Sequence, residues 1–116
     1  MKARIYHNPR CSKSRATLAL LGERGVDVEV VDYIATPPTR ATLKRLLREL
    51  GLPAIAIVRV DEPEFRAAFP DGRTPTDDEL LDLLTTQPRL LQRPIVEIAG
   101  RAALGRPPER VLEILK

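Results

Sequence analysis

The chain has 116 residues, 43% of them hydrophobic and 30% charged, with 19 Lys and Arg against 16 Asp and Glu for a net charge of +3. That balance is globular rather than disordered, and the length predicts one domain spanning residues 1–116, able to bury somewhat over ~60% of its unfolded surface. The basic residues are scattered among acids without a block of like charges, aromatics are 3%, and no run approaches a membrane-spanning length. This argues against a nucleic-acid interface and a membrane span, and the absence of an obvious exposed apolar stripe suits a monomer.

In chain order, "KARIY" (2–6) predicts a short strand that runs into the loop "HNPR". From Ser12 to about Arg24, Ala16, Leu18, Ala19 and Leu21 suggest one apolar face of a helix stopped at Gly25. The Val-rich alternation "VDVEVVDYI" (26–34) predicts a second strand, and Thr39 caps a helix over 40–50 that Gly51 ends. The run "PAIAIV" (53–58) fits a helical turn or a strand equally on periodicity. "EPEFRAAF" suggests a short helix, and "PTDDELLDLLTTQP" a longer one capped by Thr76 or Asp77 with acids in its first turn. "RPIVEIAGRAALG" divides into two strands about Gly100, and "PPERVLEILK" closes the chain as a helix. The order β-α-β-α, helical insert, β-β-α is that of an α/β thioredoxin-like fold with a central mixed sheet.

Cys11 and His7, the only residues of their kinds, stand four apart at the first strand-to-helix junction. One cysteine makes no internal disulfide, and "MKARIYHNPR" lacks the apolar core of a secretion signal, so a reducing cytoplasm is the expected location. A cysteine taken at random is most often a small buried hydrophobe. Here Arg10, Ser12, Lys13 and Arg15 surround it, and unpaired N–H groups at a helix start favour a thiolate. Ser14 is placed to return a hydroxyl or backbone hydrogen bond to the sulfur. His7 either polarises the thiol or braces the loop. Because position 14 is Ser, the C-x-x-S pattern lacks a resolving cysteine, and a redox cycle needs an external thiol such as glutathione. The residue six after Cys11 is Thr17, which excludes the C-x5-R phosphatase loop. One Cys and one His are too few for a zinc site of that kind.

Three segments in order, "YHNPRCSKSR" (6–15), "RPI" (93–95) and "GRPPERVLEIL" (105–115), resemble the glutathione/glutaredoxin-coupled arsenate reductase (ArsC) family, closest to its short branch. The resemblance covers essentially the whole chain and implies a thioredoxin-like fold with a helical insert. It implies that Cys11 is the nucleophile, with His7 and Ser14 beside the thiol. By the same resemblance Arg59, Arg93 and Arg106 bind the oxyanion, and Pro94 corresponds to the cis-proline set against the active-site cysteine. The implied activity is arsenate reduction through a Cys11–arsenate adduct, with no bound cofactor, glutathione as co-substrate and glutaredoxin as partner. Planar, permanently charged guanidinium groups suit a tetrahedral dianion. Arg93 and Arg106 each adjoin prolines that fix the backbone direction, whereas "AIAIVRV" around Arg59 is more β-branched than the Leu-rich turn usual in the family.

Two alternatives belong to other classes. A glutathione-linked thiol–disulfide oxidoreductase acting on another substrate would share the loop without needing an oxyanion clamp. A Spx-like regulator that binds RNA polymerase would share "RPI", but Ser14 and Arg106 point away from it.

Overall fold

The computed structural model describes residues 2–115, which form two compact units: the chain up to Thr36 together with the chain from Arg93 onward, and Pro37–Gln92. The first unit contains β1 (Lys2–His7), α1 (Ser12–Glu23), β2 (Asp27–Asp32), β3 (Ile95–Ile98), β4 (Arg101–Leu104) and a closing 3-10 helix (Pro108–Ile114). Its sheet runs β2-β1-β3-β4, parallel between β1 and β2 and antiparallel across the other pairs. This is the mixed sheet of the thioredoxin-like fold. A β-α-β crossover makes the parallel pair, and a tight turn at Ala99 and Gly100 (φ 79°) folds β3 back on β4.

The period of two along β1 sorts its side chains between faces. Ala3 and Ile5 point to the side that carries Leu21 of α1, Val96 and Ile98 of β3, and Val111 and Ile114 of the last helix, and these form one buried cluster. On the opposite side Arg4 stands in register with Glu29 of β2 and Glu97 of β3. It bonds them at 3.0 and 3.4 Å as a cross-strand charge ladder. His7 has the parity of Ala3 and Ile5, so it faces α1.

The buried side of α1 differs from the apolar face expected. Ser14, Thr17 and Leu21 are fully buried, whereas Ala16 and Ala19 are exposed. The inward spacing of three and then four is helical, but two of its positions are hydroxyls. Both have partners: Thr17 Oγ1 donates to the Lys13 carbonyl at 2.8 Å, and Ser14 is bonded at the head of the helix. Satisfied hydroxyls can be buried where apolar side chains were anticipated. The chain end is likewise helical as expected, but in the tighter 3-10 form.

The second unit runs through α2 (Arg40–Leu50), a 3-10 turn (Ala54–Ile57), a short α3 (Pro63–Ala68), α4 (Asp77–Thr86) and a second 3-10 turn (Pro88–Leu90). Leu43 and Leu46 of α2, and Leu80, Leu81, Leu83 and Leu84 of α4, are buried, as are Ala54, Ile57, Leu90 and Leu91. The ambiguous run 53–58 resolves into a 3-10 turn whose exit, Val58, forms an isolated antiparallel bridge with Leu91. Thr39 caps α2 by accepting the Thr42 N–H, and Gly51 ends it with φ 69°. Thr76 and Glu79 form a reciprocal capping box on α4, and Arg73 pairs with Glu79. Removing that cap by Thr76→Ala lowers stability by about 1 kcal/mol, read as a fall in the urea midpoint with an unchanged slope.

Candidate active site

The site begins where β1 stops. Asn8 builds the turn: its side-chain Oδ1 accepts the Arg10 N–H at 3.0 Å and its carbonyl accepts the Cys11 N–H at 3.0 Å. Pro9 is held by its carbonyl, which accepts Arg15 Nη1 at 2.8 Å from the first turn of α1. The turn delivers Cys11 to the N-cap of α1 in an extended conformation, with its side chain half-exposed.

Three forces act on the Cys11 thiol. Partial burial raises its pKa, while the backbone N–H of Ser14, the Arg93 guanidinium and the backbone N–H of Lys13 favour the thiolate. The balance lies below the ordinary thiol value, so the sulfur is both ionisable and reachable. Ser14 therefore serves the sulfur through its backbone. Its hydroxyl points the other way, 2.8 Å from His7 Nδ1, and accepts the Asn8 N–H at 3.1 Å. His7 is buried, and that burial pushes its imidazole below the usual 6.5; Asp32 opposes the shift and Arg15 adds to it. A neutral imidazole bonded to Ser14 braces the loop.

Arg93 stands two residues before β3 and is joined to Pro94 by a cis peptide bond. Its Nε and Nη1 are buried and have no hydrogen-bond partner among the described residues. Arg106 follows β4, also before a cis peptide bond, and its Nη1 donates to the Arg93 carbonyl at 3.0 Å. Thus His7, Cys11, Ser14, Arg93 and Arg106 all belong to the first unit and are tied to one another by bonds or charge. Arg59 belongs to the second unit. There its guanidinium pairs with Glu62 at 2.8 Å, and Glu62 also meets Arg89 at 3.2 Å.

Sequence reasoning passed over Asn8 and Thr17. The turn-forming Asn-Pro pair was the available signal for Asn8. Thr17 carries none, because only the packing around α1 reveals that it points inward.

A single accessible thiol at the head of the first helix, with the guanidinium of the residue preceding a cis-proline acting on it, defines a thioredoxin-like thiol protein. Residues 6–114 match the sequence model of the ArsC family, and the chain belongs to that family. It is 45% identical over 115 residues to the Escherichia coli (strain K12) chain named "Uncharacterized protein YfgD", covering 98% of this chain and 97% of that one. It is also 45% identical over 113 residues to an "Arsenate reductase" of Neisseria meningitidis serogroup A, with 97% of each covered. The solved "Arsenate reductase from Vibrio cholerae" superposes with a TM-score of 0.94 at 44% identity, covering 98% of both chains.

Two measurements follow from the electrostatics. The rate of Cys11 alkylation by iodoacetamide against pH inflects below the range of a free thiol, and Arg93→Ala moves that inflection upward by removing a cation that favours the thiolate. His7, the only histidine, titrates below 6.5 in an NMR pH series. Between that folded value and 6.5 the unfolded chain binds the proton more readily. The stabilising contribution of neutral His7 is therefore complete above 6.5 and is lost as pH falls through the folded pKa.

Proposed function

We propose that this protein reduces arsenate to arsenite, with Cys11 as nucleophile and with glutathione and glutaredoxin supplying the electrons in the cytoplasm. The observation that carries the proposal is Arg93, whose buried Nε and Nη1 lack partners among the described residues while its guanidinium favours the Cys11 thiolate. A buried cation without a bound carboxylate is costly, and a tetrahedral dianion beside the sulfur would supply the missing acceptors. The relatives named arsenate reductase, matched nearly end to end, support the choice of oxyanion.

In the proposed cycle Arg93 and Arg106 hold arsenate beside Cys11. Arg59, which pairs with Glu62 in the second unit, takes the third oxyanion-binding role by resemblance alone. The Cys11 thiolate attacks arsenic, a sulfur–arsenic bond forms, and one oxygen leaves as water after taking protons from solvent. A glutathione thiolate then attacks the Cys11 sulfur. The sulfur–sulfur bond forms as the sulfur–arsenic bond breaks, and the electron pair remains on arsenic, which departs as arsenite. Glutaredoxin attacks the glutathione sulfur of the mixed disulfide and releases Cys11 as a thiolate. Ser14 and Lys13 stabilise that leaving thiolate through their N–H groups, and His7 keeps Ser14 in place. No bound cofactor enters the cycle.

The test is arsenite production with glutathione and glutaredoxin present. Cys11→Ser abolishes turnover. Arg93→Ala lowers kcat/KM for arsenate by about ten- to a hundredfold, the worth of a charge-assisted hydrogen bond of ~1.5–3 kcal/mol. Full turnover by Cys11→Ser would refute the mechanism. Mixed-disulfide reductase activity that survives Arg93→Ala, without arsenate turnover in the wild type, would assign the thiol to another glutathione-linked substrate.

A further inference from the structure

Gly105 differs from the other glycines in what surrounds it. A Cβ built on Gly22, Gly25, Gly51, Gly72 or Gly100 would meet open space, and the last four need glycine for their positive φ. Gly105 has no positive φ. A Cβ there would stand 2.6 Å from Thr17 Oγ1, 2.8 Å from Pro94 Cγ and 3.2 Å from Thr17 Cγ2. Two of these separations are shorter than carbon tolerates, so what Gly105 provides is space rather than conformation.

Neither wall can give way cheaply. Pro94 is a buried rigid ring. Thr17 is fully buried on α1, its hydroxyl bonded to the Lys13 carbonyl at 2.8 Å. Gly105 also extends the pairing of β3 and β4 by one step, its N–H donating to the Pro94 carbonyl at 2.9 Å. The next residue, Arg106, bonds the Arg93 carbonyl at 3.0 Å. The peptide that carries Arg93 and Pro94 is thus held by two hydrogen bonds from the Gly105–Arg106 segment, which lies close against α1 only because Gly105 has no side chain.

We propose that Gly105 and Thr17 are positioning residues for Arg93: the bare glycine, seated between the Thr17 side chain and the Pro94 ring, sets the depth at which the Arg93 guanidinium meets Cys11. Neither residue touches the reacting atoms. Both act through Pro94 and the Arg93 backbone, and α1 carries Thr17 two turns after Cys11. The proposal rests on the reading of Cys11 and Arg93 given above.

The experiment compares wild type, Gly105→Ala, Thr17→Ala, the Thr17→Ala/Gly105→Ala double variant and Arg93→Ala. It records the pH dependence of iodoacetamide alkylation and the kcat and KM for arsenate. Gly105→Ala is expected to slow alkylation at neutral pH several-fold, moving its inflection toward that of Arg93→Ala, and to raise KM more than it lowers kcat. Cutting Thr17 back gives the new methyl somewhere to go other than into Pro94, so the double variant returns toward the Thr17→Ala values. A folded Gly105→Ala protein with wild-type alkylation and KM overturns the proposal, as does a defect that the double variant fails to relieve. If Gly105→Ala alone does not fold, the double variant decides. Alkylation matching Thr17→Ala supports the proposal, and alkylation matching Arg93→Ala overturns it. If Arg93→Ala itself leaves alkylation and arsenate kinetics unchanged, the underlying reading of the site fails instead.

Discussion

Ser14 is fully buried on α1, and a buried hydroxyl left unpaired would cost about 1–3 kcal/mol. Its two partners come from the end of the preceding strand: the His7 ring and the Asn8 N–H. This one oxygen therefore fastens the head of α1 to the last residue of β1 and to the loop between them. The position of Cys11 follows, since only two residues separate it from Ser14. With the helix head held there, the N–H groups of Lys13 and Ser14 favour the Cys11 thiolate. Burial of His7 keeps the imidazole neutral, so the brace does not add a second charge beside the thiolate at neutral pH.

The arginines divide by what they meet. Arg4, Arg40, Arg59, Arg73 and Arg89 each pair with carboxylates, the ordinary fate of a surface guanidinium. Arg93 does not among the described residues: its Nε and Nη1 are buried without an acceptor, and its guanidinium favours the Cys11 thiolate. The contrast sets Arg93, which acts on the Cys11 thiol, apart from the arginines that pair with carboxylates. Arg59 is paired with Glu62 within the second unit.

Much of the fold was legible because local rules are strong in this chain. Thr39, Gly51 and Thr76 mark helix ends by side-chain and backbone chemistry that acts within three or four residues, and the structure places those ends where the residues imply. The inner face of α1 was not legible. Ala16 and Ala19 have apolar side chains and lie outside, while Ser14 and Thr17 are polar and lie inside. Hydrophobic periodicity cannot anticipate a polar face that pays its desolvation through partners on another strand. The 3-10 form of the last helix escaped for a related reason, since its apolar pattern fits either winding.

From the sequence by itself came the order of elements, the lone thiol at a strand-to-helix junction, the missing resolving cysteine, and the motifs around Arg93 and Arg106. These depend on residue identity and short-range spacing, which a linear chain carries openly. Tertiary structure decided which groups act on the Cys11 sulfur, that the Ser14 hydroxyl serves His7 rather than the thiol, and that Arg93 Nε and Nη1 lack partners among the described residues while Arg59 meets Glu62. Those outcomes depend on contacts between residues as many as 82 positions apart, Cys11 and Arg93, which only the packed sheet and helix bring together.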